Sequence, residues 1–227
     1  NALDADIGCH VGDIADGTPE VREPQARPLA EVRARLARVY VTGNHEYFGE
    51  AQGWLDYIDG IGWDALHNRH IVVERDGDKL VIAGVDDATA RGSGVDGHGA
   101  NLDAALANTD PSAPVMLLAH QPKQVKAAVA ASVDLQISGH THGGQISVPY
   151  TPHWSWMSLV KDQHIEANGW AEDREEPAGN RLYVNVGIGF SSIPVRINAR
   201  PELTRFTLSR GSASSSGSPP CGWRCRR

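Results

Sequence analysis

Short apolar runs recur along this chain, and most of them stop at a glycine followed by a polar residue. "DIGCHVG" gives way to Asp13, "VYVTG" to Asn44 and His45, "VMLLA" to His120, and "LQISG" to His140. Runs of this length, rich in Val, Ile and Leu and bounded by turn residues, predict buried β-strands. Between them the apolar period changes. Leu29, Val32, Leu36 and Val39 recur at three- and four-residue intervals and predict a helix that feeds the strand "VYVTG". Trp54, Leu55 and Ile58 predict a second, shorter helix. "HIVVER" and "KLVIAGVD" around Asp76-Gly77-Asp78 predict a hairpin. "NLDAALANTD" and "KQVKAAVAAS" read as helices alternating with the strands "PVMLLAH" and "DLQISGH". The last part is strand-like, in "GQISVP", "RLYVNVG", "IPVRINA" and "ELTRFTLS". An α/β first half followed by a β-rich second half predicts a layered fold, with two sheets inside and helices outside.

The polar residues that end the runs are the candidate chemistry. Strand ends on one edge of a sheet converge in space, so Asp13, Asn44, His120, His140 and His142 can surround one point although they are far apart in sequence. One carboxylate, one amide oxygen and several imidazoles form a hard-to-borderline donor set, suited to Mn, Fe or Zn. Gly12, Gly43 and Gly139, each one residue before a candidate ligand, permit sharp turns and close backbone approach. Gly143 and Gly144 are expected to leave room for a substrate.

Composition narrows the class without changing it. A chain of 227 residues with 41% hydrophobic content can bury one sizeable core. The net charge of −7 argues against nucleic acid as a partner. Three cysteines, at 9, 221 and 225, make no disulfide framework. No signal peptide or membrane span is visible in the 227 residues, which read as soluble, with the compartment left open. The chain opens directly onto the strand before Asp13, so an upstream portion is expected to be absent. From Gly211 onward, a Gly/Ser/Pro-rich run with three arginines predicts a disordered tail over 211–227.

The ordered set "GD", "GNHE", a lone histidine after an apolar strand and "GHTH" resembles the calcineurin-like metallophosphoesterase superfamily. The longer strings "SGHTHGGQISVP", "GVDDATA" and "YVNVGIGFSSIPVRINARPEL" resemble a bacterial branch whose phosphoesterase domain often follows transmembrane helices. The resemblance implies a four-layer α-β-β-α sandwich over residues 1–210, without its first strand. It also implies two divalent metal ions (Mn, Fe or Zn). Asp13 matches the carboxylate that bridges both ions, Asn44, His120 and His140 match the remaining protein ligands of the second, and His142 matches a ligand of the first. His45 matches the residue that stabilises or protonates the leaving oxygen. The family's first motif, Asp-x-His, occurs nowhere in the chain, and Asp6 and His10 have the wrong spacing to replace it. The first metal site is therefore expected to be incomplete, and turnover feeble.

The implied function is hydrolysis of a phosphoester or pyrophosphate bond by a metal-activated hydroxide, two cations lowering the pKa of bound water. The branch implies a phosphorylated small-molecule or lipid-linked substrate, with a UDP-diacylglucosamine-type lipid as one candidate, and membrane association. A nuclease or cyclic-nucleotide phosphodiesterase is the enzymatic alternative. A metal-binding protein with little activity is the other. Several residues carry simpler expectations. Glu46 reads as an orienting carboxylate, His10 as core packing, Asp86 and Asp87 as loop anchors, and His67, His70 and His98 as surface residues. The tryptophan-rich stretch 147–180 fits an aromatic cap on the core, or a lid over the site for a greasy substrate. His153 and His164, within it, read as surface residues.

Overall fold

A computed structural model describes residues 3–146, 169–172, 181–209 and 224–226. Two sheets carry the architecture. The first contains β1 (Ile7–His10), β2 (Ala37–Tyr40) and β3 (Asp64–Ala65), all parallel, in the order β1-β2-β3. The second contains β4 (Arg69–Arg75), β5 (Asp78–Gly84), β6 (Val115–Leu118), β7 (Leu135–Ser138), β8 (Gly169–Glu172) and β9 (Arg181–Val184), in the order β4-β5-β6-β7-β9-β8. Its central strands β5, β6, β7 and β9 run parallel.

Strand alternation separates the layers. Ala37, Val39 and Val41 of the first sheet share one buried cluster with Leu80, Ile82, Met116, Leu118, Leu135 and Ile137 of the second, so the sheets pack face to face. The alternate residues point outward and meet helices. Tyr40 and Ala65 pack against Leu55 and Ile58 of a helix over Ala51–Gly60. Ala83, Leu117 and Ala119 pack against Ala105 and Ala128, on helices over Leu102–Ala105 and Val125–Ala130. This is the expected four-layer α-β-β-α arrangement. Truncating Leu118, fully buried in the seam, to alanine would cost about 3 kcal/mol.

The hairpin forms as expected. Arg75 pairs with Asp78, and Asp76 and Gly77 both take positive φ (54° and 83°), the backbone of a two-residue turn that matches strand twist.

Several expectations are corrected. The helix expected from Leu29 to Val39 is absent. A helix spans Pro19–Ala26, a 3-10 turn spans Arg27–Glu31, and Val39 lies inside β2. Leu29 and Val32 still pack on the core, but the amide of Leu36 donates to Asp6 O at 2.8 Å, which commits the chain to sheet pairing. β1 is also less buried than its sequence suggests, with Cys9 exposed. Among the described residues β1 is an edge strand, so one flank lacks a neighbour.

"IPVRINA" forms no strand and makes only isolated bridges from Ile146 to Ile197 and Asn198. The Gln145 side chain takes the backbone groups that a neighbouring strand would otherwise pair, donating to Ser191 O and Ile193 O and accepting from the Ser191 amide. Only Thr207–Ser209 of "ELTRFTLS" is a strand. It pairs antiparallel with Arg224–Arg226, three residues of the expected tail. The remaining tail, the end of "GQISVP", most of the tryptophan-rich stretch, and His153 and His164 lie outside the described residues.

Candidate metal centre

The carboxyl ends of four strands deliver the expected residues. Asp13 follows β1 and Asn44 follows β2 in the first sheet; His120 follows β6 and His140 follows β7 in the second. The two loops of the first sheet press together backbone to backbone. Gly12 has φ +87°, and a Cβ there would sit 2.3 Å from the Gly43 amide nitrogen. A Cβ on Gly43 would lie 2.2 Å from Asp13 Oδ1. Neither position accommodates a side chain, so both glycines are required by the approach itself. Asp13, His140 and His142 adopt positive φ (57°, 68° and 52°), a conformation most side chains avoid and one that clusters at functional sites.

Four side chains converge. His120 Nε2 lies 3.1 Å from Asp13 Oδ2, 3.2 Å from Asn44 Oδ1 and 3.1 Å from His140 Nδ1. His140 Nδ1 lies 2.8 Å from Asn44 Oδ1. The proton inventory makes this grouping informative. His120 Nδ1 is 2.6 Å from the carbonyl oxygen of Val11, an acceptor only, so Nδ1 carries a proton. A neutral His120 then aims the Nε2 lone pair at two oxygens. Asp13 Oδ2 is buried and has no aligned hydrogen bond despite its 3.1 Å approach to Nε2. Such a set lacks positive charge at its centre, and a divalent cation or a second proton on His120 fills that role.

The titration behaviour follows. Burial alone would lower the His120 pKa, but the Asp13 carboxylate outweighs it and holds the imidazole at about 9. Burial would raise Asp13, yet the adjoining His120 and the His45 amide hold its carboxyl well below the usual carboxylate range. The residues present fit a Mn, Fe or Zn ion on donor chemistry, and a cation there would take the place of the second His120 proton in balancing Asp13.

His142 stands apart from the tight group formed by Asp13, His120 and His140. Arg196 donates to its carbonyl oxygen at 3.1 Å and approaches its Nδ1 at 3.4 Å. Burial and this guanidinium lower the His142 pKa to about 4, keeping the ring neutral. Gly143 packs against Val186, where a Cβ would meet Cγ1 at 2.8 Å; the space expected for a substrate there is filled.

His45 donates its amide to Asp13 Oδ1 at 3.0 Å, and its Nδ1 is in short contact with Asp16. Asp16 was not among the expected site residues, although its place in "GDIADG", three residues after Asp13, offered a signal. Glu46 is fully buried and orients the loops as expected. It accepts the amides of Asp13 (3.0 Å), Ile14 (2.7 Å) and Gly43 (2.5 Å). Burial raises its pKa, and the nearby Asp13 charge adds to that. His10 packs beside Tyr40 and Trp63, and burial lowers its pKa to about 4. Asp87 accepts from Thr89 and Gln121, anchoring its loop.

Several known proteins are similar to this chain in sequence. A Danio rerio protein described as a transmembrane protein with metallophosphoesterase domain is 33% identical over 221 residues, covering 92% of this chain and 47% of its own length. A Bos taurus protein of the same description is 31% identical over 223 residues, covering 92% and 47% respectively. A metallophosphoesterase of Helicobacter pylori is 32% identical over 209 residues, covering 92% and 52%. The chain thus spans about half the length of these relatives. Among the described residues, no helix is long and apolar enough to cross a membrane. Residues 1–144, which contain every loop that builds the cluster, match the family described as calcineurin-like phosphoesterase, and the chain belongs to that family.

Proposed function

We propose that the chain hydrolyses a phosphoester or pyrophosphate bond with a divalent metal held by Asp13, Asn44, His120 and His140. The observation that carries this reading is the convergence of Asp13 Oδ2, Asn44 Oδ1, His120 Nε2 and His140 Nδ1 around one point. The bound cation supplies Lewis-acid activation of the phosphoryl group and of the attacking water. Asp13 contributes the negative charge that retains it. The Val11 carbonyl fixes the His120 tautomer so that Nε2 faces inward, and Glu46 holds the Asp13 and Asn44 loops in register. His45 Nδ1 donates to Asp16, so the ring in its doubly protonated form has Nε2–H left to donate a proton or hydrogen bond to the leaving oxygen.

The finer reading extends to two ions, with Asp13 and His142 as the remaining ligands of the first, and to a lipid-linked diphosphate such as UDP-diacylglucosamine at a membrane surface. Cyclic nucleotides and nucleic acid are the competing substrates. His142's separation from the tight group favours a second reading, in which one ion binds and turnover is feeble. The deciding assay strips the chain with chelator, restores Mn or Zn, and measures hydrolysis of a chromogenic phosphodiester beside UDP-diacylglucosamine, a cyclic nucleotide and single-stranded DNA. Metal-restored hydrolysis that disappears in His120→Ala supports the proposal. Hydrolysis unaffected by chelation or by that substitution overturns it, and metal binding without turnover selects the second reading.

A further inference from the structure

A second group of metal-type ligands lies one strand along the same edge. His67 follows β3 of the first sheet, Asp86 follows β5 of the second, and His98 enters from the loop before the helix over Leu102–Ala105. One ligand atom from each lies within 4.8 Å of the others. His67 Nδ1 is 2.7 Å from Asp86 Oδ1, His98 Nδ1 is 4.0 Å from Asp86 Oδ2, and the two imidazole centroids are 4.6 Å apart. The sequence reading placed both histidines on the surface. The structure corrects this for His98, whose side chain is 3% exposed beside an Asp86 side chain at 1%, while His67 keeps 36%.

The group is braced as a ligand set would be. Asp86 Oδ2 accepts from Asn68 Nδ2 at 3.1 Å and from the Gly99 amide at 2.9 Å, which fixes the carboxylate between the rings. His98 Nε2 lies 3.1 Å from Gln52 Oε1, an acceptor, so Nε2 carries the proton and the Nδ1 lone pair faces inward. The Tyr47 hydroxyl, 3.0 Å away, occupies that lone pair. Two imidazoles, that of His98 backed by Gln52, and one fixed carboxylate are the ligand set of a borderline divalent cation, with His67 on the solvent side.

We propose that His67, Asp86 and His98 form a second, independent divalent-cation site of the zinc or cobalt class. The cation replaces the proton shared by His67 Nδ1 and Asp86 Oδ1 and competes with the Tyr47 O–H for His98 Nδ1. This site does not depend on the phosphoesterase reading, because it shares no residue with the Asp13 group.

The test uses the full chain carrying His120→Ala and His140→Ala, which removes ligands from the first group, with circular dichroism to verify folding. Co²⁺ alone is the probe, followed by its visible absorption and by equilibrium dialysis. One Co²⁺ per chain is expected to remain bound. Adding His67→Ala, at a half-exposed position that leaves the core intact, is expected to weaken binding at least ~10-fold, as is His98→Ala. Tyr47→Phe removes the competing donor and is expected to tighten Co²⁺ binding severalfold, a change that a merely structural His–Asp network would not produce. No bound Co²⁺ at micromolar concentrations, or binding unchanged in the His67→Ala and His98→Ala variants, overturns the proposal.

Discussion

Glu46 and Asp13 are joined through the backbone: Glu46 Oε2 accepts the Asp13 amide at 3.0 Å, across 33 positions of sequence. The same oxygen accepts the Gly43 amide, so one buried carboxylate sets the distance between the loops that present Asp13 and Asn44. Glu46→Ala strands three amides, two of them beside candidate ligands. The expected cost is about 3 kcal/mol of stability together with a ~10- to 100-fold loss of metal affinity. Denaturant melts and metal titration on the same preparation check this. A stability loss with unchanged affinity would reduce Glu46 to a structural role.

The Asp13–His120 pair predicts how metal-free stability depends on pH. The folded pKa of His120 is about 9 against an ordinary value of 6.5, so the stabilisation is fully present below pH 6.5 and is lost as pH rises through about 9. The shift corresponds to on the order of 3 kcal/mol, shared by the pair. Melts of chelated protein between pH 6 and 10 should show this decline, and His120→Gln should abolish it. Bound metal should remove the dependence, because the cation takes the place of the proton.

His140 and His142 are two residues apart but should not behave alike. His140 Nδ1 touches both Asn44 and His120, whereas His142 lies outside the tight group. His140→Ala should weaken the ion of the Asp13 group more than ~100-fold, and His142→Ala by only about threefold. Calorimetric titration with Mn²⁺ or Zn²⁺ distinguishes them, and equal losses would place both residues on one ion.

His45 should separate binding from turnover. Its contacts run to Asp13 and Asp16, and it supplies no atom to the converging ligand group. His45→Ala should therefore lower kcat by ~10²- to 10⁴-fold while the metal stays bound. Asp16→Asn should have a smaller effect in the same direction. Single-turnover rates with parallel metal analysis check this, and loss of the metal in His45→Ala would contradict it.

What the sequence revealed and what it concealed divide along physical lines. An apolar run that stops at a polar residue is a local pattern, so the strand ends before Asp13, Asn44, His120 and His140 could be read directly. The His67–Asp86–His98 group was not readable, because no spacing links its members; it exists only through the packing of β3 over β5. Leu29, Val32, Leu36 and Val39 misled for a related reason. Helical spacing also fits a 3-10 turn followed by a strand, and only the pairing of Leu36 with Asp6 decides between them. In "IPVRINA" the alternation was real, but Ile193, Val195 and Ile197 remain exposed, and Gln145 takes the pairing groups instead.

The two sheets meet along an apolar seam, and each contributes two members of the Asp13 group at the end of that seam. An ion held there is a rivet between the halves of the sandwich. Sliding one sheet against the other by even a fraction of an ångström would pull its ligands apart, and ordinary van der Waals packing resists such sliding only softly. Metal occupancy and the fit of the hydrophobic interior are thereby one mechanical system. A substitution deep in the seam, far from any substrate, should loosen the grip on the ion before it unfolds the chain.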